Sequence, residues 1–184
     1  MLVASVLDRL YPIPLPSKDN ASVLVTARDG RPLRAFASEN GVWRYPVKVE
    51  EVSPLYLEAL IGYEDRYFYY HAGVNPFAMA RAAIQGARNG RIISGGSTIT
   101  MQVARILEPH PRTVSGKIRQ MLRAFQLEWH LSKSEILEIY LTRAPFGGTI
   151  EGVEAASWAY LGKSSKQLSH SEAALLAVLP QTPS

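Results

Sequence analysis

The sequence contains no cysteine among its 184 residues. Disulfide scaffolds, zinc knuckles, iron–sulfur sites and thiol nucleophiles are therefore excluded. It also lacks any run of about 18 apolar residues, so no segment is long and apolar enough to predict a membrane-spanning helix. Apolar residues make up 47% of the chain and charged residues 20%, a balance that provides a core and excludes general disorder. The length fits one domain, or one domain with a small appendage.

Several common catalytic motifs are also missing. The sequence has no Gly-x-Ser-x-Gly, Ser-x-x-Lys or Lys-Thr-Gly, which excludes serine hydrolase and β-lactam-reactive chemistry. There is no His-Glu-x-x-His, and the four histidines show no metal-ligand spacing. Gly162-Lys163-Ser164 resembles the end of a phosphate-binding loop, but Ser157 stands where the first glycine of that loop is required.

The charge is unevenly distributed along the chain. The net charge is +4 overall, whereas residues 66–127 carry +8, with Glu108 as their sole acid, and the remainder carries −4. Arginine outnumbers lysine eight to one in this basic segment, and its forked guanidinium suits phosphate or carboxylate oxygens. The segment therefore predicts an anion site, while a solvated helix face is an equal alternative for any single arginine.

The front of the chain is predicted to form a small β appendage, residues 1–49. Apolar and polar side chains alternate in residues 22–37 around Asp29-Gly30, a pair typical of hairpin turns. A further short strand is expected within 42–49. Residues 1–16 are interpreted as a short amphipathic piece with a stiff proline linker, or as an interfacial or trimmed membrane anchor.

The main body, residues 50–184, is predicted to be helical. Capping residues, apolar periodicity and prolines place the helices. On the helix from Val114 to His130 one stripe of large apolar side chains is predicted to face the core; the stripe consists of Ile118, Leu122, Phe125 and Trp129. Helices are expected over about 54–64, 76–88, 98–108, 114–130, 132–141 and 169–180, and the residues before Gly162 also have a helical pattern.

Three segments carry the candidate chemistry. Residues 63–73 place Glu64 among aromatic side chains, where a carboxylate can take or give a proton; surface pairing at a helix end is the alternative. Residues 95–102 set two glycines before a hydroxyl-rich helix start, which can present N–H groups to an anion. Residues 117–123 add three cations. Together these features fit attack by a deprotonated hydroxyl with loss of a phosphate-type leaving group.

These segments resemble the motifs of the peptidoglycan glycosyltransferases of family 51. Glu64-Asp65-x-x-Phe68-x-x-His71-x-Gly73 is similar to the first motif. Met101 before Gln102, together with residues 143–148, resembles one branch of that family in particular. The five matches occur in family order within about residues 50–184, and they lie at 64–73, 96–102, 117–124, 132–141 and 152–163.

The resemblance implies a mainly α, lysozyme-like glycosyltransferase domain with a small jaw dipping into the membrane. By family precedent Glu64 removes the proton from the GlcNAc 4-hydroxyl of lipid II, which attacks the MurNAc C1 of the growing chain with inversion and release of undecaprenyl diphosphate. Arg105, Lys117 and Arg112 would hold the diphosphate, and Ser97, Thr98 and Gln102 would shape the cleft. The implied catalytic residues are Glu64 and Gln120, with no metal ligand, and the implied substrate-binding residues are Asp65, Phe68, His71, Gly96, Ser97, Thr98, Gln102, Arg105, Arg112 and Lys117.

The resemblance also implies partners and a location. The expected partners are lipid II, the growing glycan chain, the membrane surface and a transpeptidase domain in the full-length protein, but no nucleic acid. The expected location is the outer, periplasmic face of the bacterial inner membrane, with the membrane helix absent from this chain.

The sequence departs from the family pattern in its third motif. The family has a glutamate three residues after Lys117, where this chain has Gln120. An amide cannot act as a base and holds a divalent cation poorly, and Glu128, within about 80° of Gln120 around the helix axis, is a weak substitute. Use of Mg²⁺ or Mn²⁺ therefore stays open. If Gln120 only positions substrate, the Gln120→Glu variant is expected to keep or raise activity.

Two other function classes remain as alternatives. A lysozyme-like enzyme that cleaves glycans would also suit one glutamate in a helical fold, but neutral leaving groups need no arginine cluster. The loss of the second carboxylate instead allows a weakly active or regulatory glycan-binding domain. A nucleic-acid binder is disfavoured, because no known binding module is visible.

Overall fold

The computed structural model describes residues 8–9, 11–15, 22–28, 32–89 and 96–181. In these ranges the chain is mainly helical with a few short strands, which confirms the predicted fold class. The helices are α1 (Pro54–Glu64), α2 (Pro76–Asn89), α3 (Ile99–Leu107), α4 (Val114–His130), α5 (Lys133–Arg143), α6 (Val153–Leu161) and α7 (His170–Val178). The strands are β1 (Val23–Thr26), β2 (Pro32–Phe36), β3 (Trp43–Arg44), β4 (Pro145–Gly147) and β5 (Ile150–Glu151).

Contacts divide the chain into two compact units. Unit 1 comprises residues 1–16 and 64–136, and unit 2 comprises residues 17–63 and 137–184. Helices α3 and α4 lie wholly in unit 1, and all five strands lie in unit 2. These units do not test the predicted domain boundary after residue 49. The division into a front section and a main body stays a prediction.

Unit 2 contains two small sheets. Strand β1 pairs antiparallel with β2, with Val23 opposite Phe36, as the hairpin pattern predicts; the Asp29-Gly30 turn lies outside the described residues. Strand β3 pairs parallel with β5, which pairs antiparallel with β4. Strands β4 and β5 were not predicted, because two or three residues are too few to show an alternating pattern.

Helix α4 buries a face different from the predicted one. The large apolar stripe is exposed: Ile118 to 52%, Leu122 to 64%, Phe125 to 48% and Trp129 to 59%. The buried residues of α4 are Gly116, Gln120, Ala124 and Leu127. The prediction that the large apolar stripe faces the core is therefore wrong.

Small residues explain why the other face is buried. A Cβ on Gly116 would lie 2.3 Å from the Pro111 carbonyl oxygen, so only glycine fits there. Ala124 packs with Met101 of α3 and with Val74 in one cluster of the unit 1 core. The periodicity of apolar residues locates a stripe on a helix but does not show whether that stripe packs on the rest of the protein. On α4 the small residues allow a closer approach to neighbouring elements, so their face is the buried one.

Candidate active site

The start of helix α3 is held by groups of the protein itself. Thr98 caps the helix, because its Oγ1 accepts from the Met101 amide at 3.1 Å and donates to the Gly73 carbonyl at 2.6 Å. The Ile99 amide donates to Asp65 Oδ2 at 3.0 Å. The anion at this helix start is therefore the Asp65 carboxylate. The expectation of free N–H groups for an external anion is wrong for Ile99 and Met101.

Asp65 also fixes the loop that follows the first motif. Its two carboxylate oxygens lie 3.0 and 2.9 Å from His71 Nε2. The Gly73 amide donates to His71 Nδ1 at 3.1 Å, so Nδ1 is the acceptor and Nε2 carries the proton that Asp65 accepts. Gly73 has φ of +89°, and a Cβ on it would lie 2.7 Å from the Ala124 carbonyl oxygen, so glycine is required.

The three loop residues predicted to contact substrate have internal partners. Asp65 and His71 bond to each other, and Phe68 is fully buried. The Lys133 ammonium lies 4.6 Å from the centre of the Phe68 ring, a cation–π distance. These contacts fix the conformation of the loop, and a substrate-binding role for Asp65, Phe68 and His71 stays a prediction.

Glu64, the last residue of α1, is half-buried and oriented by α3. The Gln102 side chain donates from Nε2 to Glu64 Oε2 at 2.6 Å. Gln102 lies one turn after Thr98, so the capped end of α3 fixes the donor that holds the carboxylate. The aromatic side chains expected around Glu64 are instead more than half exposed; they are Tyr63, Tyr67, Tyr69 and Tyr70.

Lys117 forms the cationic side of the site. Its Nζ donates to Ser97 Oγ at 2.6 Å and to Gln120 Oε1 at 3.2 Å. Burial lowers the pKa of the Lys117 ammonium below its usual value, and the positive charge of Arg105 lowers it further. In the part of the chain that the structure describes, no ion pair joins Lys117 or Arg105 to a carboxylate. This pair of cations is suited to an anionic ligand.

The other cations of the basic segment whose side chains the structure describes are less available to an anionic ligand or more exposed than Lys117 and Arg105. Arg123 Nε lies 2.6 Å from Glu108 Oε2, and Arg119 pairs with the same carboxylate. Burial opposes ionisation of Glu108, but the hydrogen bond and charge of Arg123 prevail and hold its pKa below the usual value. Arg112 is exposed, and Gly96 is half-buried beside Ser97. Two of the three cations in residues 117–123 therefore share one carboxylate, Glu108.

Gln120 and Glu128 have different surroundings although both lie on α4. Gln120 is buried, and its Nε2 donates to the Met101 carbonyl oxygen at 2.6 Å. Glu128 Oε1 accepts from Thr100 Oγ1 and from Lys133 Nζ, each at 2.6 Å. Glu128 is thus engaged in a cluster that the sequence analysis missed, and it does not replace the absent carboxylate of the third motif. Only the position of Lys133 in the fourth motif pointed to it.

A resident divalent cation does not fit these donors. Among the described residues no three or more histidine, aspartate or glutamate side chains converge in a metal-binding arrangement. Asp65 is committed to His71 and Ile99, and position 120 offers an amide. No catalytic step is therefore derived through a metal ion.

Comparison with known proteins identifies the family. A family model described as Transglycosylase matches residues 29–184. The chain is 67% identical to Penicillin-binding protein 1C of Escherichia coli (strain K12) over 177 residues, which are 96% of this chain and 23% of that protein. It is 42% identical to Penicillin-binding protein 1A of Aquifex aeolicus (strain VF5) over 141 residues, 76% of this chain and 19% of that protein.

A third relative is Penicillin-binding protein 1F of Bacillus subtilis (strain 168), which is 36% identical over 166 residues, 90% of this chain and 23% of that protein. The chain thus spans less than a quarter of the length of these relatives. The branch resemblance carried by Met101 and residues 143–148 agrees with the high identity to the 1C protein. The chain belongs to the Transglycosylase family, which confirms the family predicted from the five motifs and the expectation of a peptidoglycan glycosyltransferase enzyme.

Proposed function

We propose that this domain polymerises lipid II into glycan strands, with Glu64 as the general base. The proposal rests on α3, which contacts the Glu64 carboxylate through Gln102 and contributes the cation Arg105. Gln102 orients the Glu64 carboxylate, and one turn later Arg105 lies beside Lys117 without a carboxylate counter-ion among the described residues. A helix that orients a base at one turn and places a cation at the next fits a transfer reaction with an anionic leaving group.

The reaction follows from these roles. Glu64 takes the proton from the GlcNAc 4-hydroxyl of the acceptor as that oxygen forms a bond to the MurNAc C1 of the donor. The bond from C1 to the diphosphate oxygen breaks, and its electron pair leaves with undecaprenyl diphosphate. Attack opposite the leaving group inverts the anomeric centre. The negative charge that develops on the leaving oxygens is stabilised by Lys117 and Arg105.

The cations favour polymerisation over glycan cleavage. A lysozyme-like enzyme releases a neutral sugar hydroxyl and needs an acid rather than a cation clamp. Half-burying two neighbouring cations without a counter-ion is unfavourable, and a bound diphosphate offsets that cost. Arg112, exposed on the segment between α3 and α4, is a further candidate for the same ligand.

The exposed stripe of α4 supports a membrane surface as a partner. Five large apolar side chains of this helix are about half exposed or more, although no helix of the described residues is both long and apolar enough to cross a bilayer. A lipid-linked substrate must be reached at the bilayer, so an apolar face that enters the headgroup region serves the reaction. The stripe comprises Val114, Ile118, Leu122, Phe125 and Trp129.

The location and further partners follow from the proposed substrate. Lipid II is polymerised at the outer, periplasmic face of the bacterial inner membrane, so we place the domain there. The relatives are more than four times longer than the matched region, which leaves room for the transpeptidase domain expected in the full-length protein. The growing glycan chain is the second substrate.

Incubation with labelled lipid II tests the proposal. Long glycan strands are expected, and Glu64→Gln is expected to abolish them, because the variant keeps the side-chain shape without a base. Gln167→Glu, an exposed position in unit 2, is a control that should polymerise normally. Cleavage of preformed glycan without polymerisation would overturn the proposal in favour of the lysozyme-like alternative. Glycan binding with neither reaction would favour the regulatory alternative.

A further inference from the structure

Gln120 is a buried amide whose two ends bond to different elements. Its side chain donates from Nε2 to the Met101 carbonyl oxygen of α3 at 2.6 Å. Its Oε1 accepts from Lys117 Nζ at 3.2 Å, one turn earlier on α4. The residue is 4% exposed. Both the nitrogen and the oxygen of the side-chain amide therefore have a hydrogen-bond partner within the protein.

The two neighbours demand opposite chemistry at position 120. A backbone carbonyl can only accept a hydrogen bond, so the group facing Met101 must donate. A lysine ammonium can only donate, so the group facing Lys117 must accept. A carboxamide satisfies both demands at once. An ionised carboxylate would satisfy Lys117 and leave an oxygen against the Met101 carbonyl at a distance where no hydrogen bond can form.

We propose that Gln120 is a positioning residue: a neutral clamp that ties α4 to α3 and holds the Lys117 ammonium beside Ser97, where it receives the diphosphate. This inference rests on the proposed function of the site. The third motif has then exchanged a carboxylate for an amide without losing its contact to the cation. The exchange also removes one negative charge next to Lys117, so the anion site is more positive than it would be with a glutamate.

The clamp reverses the expectation drawn from the sequence for Gln120→Glu. An ionised glutamate would compete with the diphosphate for Lys117 and would repel the Met101 carbonyl. A protonated glutamate has one O–H donor and one carbonyl acceptor, so it can make both contacts that the amide makes. Activity and diphosphate binding of this variant should therefore recover as the pH falls.

The test measures binding of undecaprenyl diphosphate in detergent micelles, by calorimetry, between about pH 4 and pH 8, a range that reaches the usual pKa of a glutamate at its lower end. At the highest pH, Gln120→Glu is expected to bind undecaprenyl diphosphate about tenfold more weakly than the parent protein. At the lowest pH its affinity should approach that of the parent protein. Gln120→Met, which is similar in length but has no polar end, should bind weakly at both ends. Arg119→Gln is the matched control, because Arg119 lies on the same helix and pairs with Glu108.

A double-mutant cycle distinguishes the clamp from simple core packing. Lys117→Met should weaken binding strongly, and adding Gln120→Met should weaken it little further, since the clamp acts through Lys117. Thermal unfolding checks that each variant is folded. If the Gln120→Met variant does not fold, the pH dependence of binding by Gln120→Glu still tests the clamp.

Two results would overturn the clamp. One is a Gln120→Glu variant that binds like the parent protein across the whole pH range, and the other is full additivity of the Lys117 and Gln120 substitutions. A Lys117→Met variant that binds undecaprenyl diphosphate as tightly as the parent would instead overturn the anion site of the proposed function. The two failures are therefore distinguishable.

Discussion

Gln102 Nε2 donates to Glu64 Oε2 over 2.6 Å, and this contact joins the second sequence motif to the first. The donor lies on α3, whose N-terminus is capped by Thr98 and by the Asp65 carboxylate. Asp65 directly follows Glu64, so the same short segment both carries the proposed base and anchors the helix that orients it. The position of the Glu64 carboxylate is thus determined by its own contact to Gln102 and by the contact of the next residue, Asp65, to Ile99.

Removing the Gln102 donor should slow the chemical step. We expect Gln102→Met to lower kcat for lipid II polymerisation by about ten- to a hundredfold, because the Glu64 carboxylate loses its fixed orientation. KM should change little, since the cations that hold the diphosphate remain. Steady-state kinetics with labelled lipid II measures both constants. Gln126→Met on α4 is the matched control, and an equal effect of the two variants would contradict the assignment.

Lys133 and Glu128 should contribute to stability as a pair. Their side chains are mostly buried, and the ammonium also donates to the His71 carbonyl at 2.7 Å. Lys133→Met leaves the Glu128 carboxylate without its cation, and we expect a loss of about 3 kcal/mol in the free energy of unfolding. Urea denaturation measures it.

The double variant provides the control for this pair. Lys133→Met combined with Glu128→Gln removes the charge that was left unpaired, so part of the lost stability should return. A double variant that is as unstable as the sum of the two single changes would show that the pair is not coupled.

Lys117 should make diphosphate binding sensitive to alkaline pH. Its pKa is lowered, first by burial and then by the charge of Arg105. In the proposed function the protonated ammonium binds the diphosphate. The affinity is then full below the pKa of Lys117 in the unliganded protein and falls as the pH rises through it. Because that pKa lies below the usual lysine value, the fall should begin at a lower pH than for an ordinary lysine.

The Lys117→Arg variant tests this origin. A guanidinium does not deprotonate in the accessible range, so the alkaline loss of undecaprenyl diphosphate binding should disappear while binding itself is kept. An unchanged pH profile would assign the titration to another group.

Much of the fold could be predicted because its determinants are local. The Asn75-Pro76 start of α2, the Thr98 cap of α3 and the capping box at Ser169 each lie within a few residues of the helix that they begin. The motifs likewise made Glu64 and Lys117 candidates for the site, since their residue types and spacing are visible in the sequence. These elements needed no knowledge of long-range contacts.

Several errors concern partners that are distant in sequence. Asp65 reaches Ile99 across 34 positions, and Arg123 reaches Glu108 across 15. No pattern of neighbouring residues reveals such pairs. The buried face of α4 was mistaken for the same reason, because Ala124 packs on Met101 and Val74, which are distant from it in sequence.

The exposed stripe of α4 should bind lipid vesicles. Leu122 and Trp129 are 64% and 59% exposed, and each apolar side chain that enters the bilayer interface contributes about 1.5 kcal/mol or more. We expect Leu122→Ser combined with Trp129→Ser to reduce co-sedimentation with phosphatidylglycerol and phosphatidylethanolamine vesicles by at least about tenfold. Leu175→Ser combined with Tyr160→Ser removes comparable exposed apolar side chains from unit 2 and is the matched control. Equal losses in the two double variants would show that α4 has no special part in membrane binding. A selective loss, with polymerisation of a detergent-solubilised substrate retained, would separate the membrane-facing surface from the proposed catalytic groups.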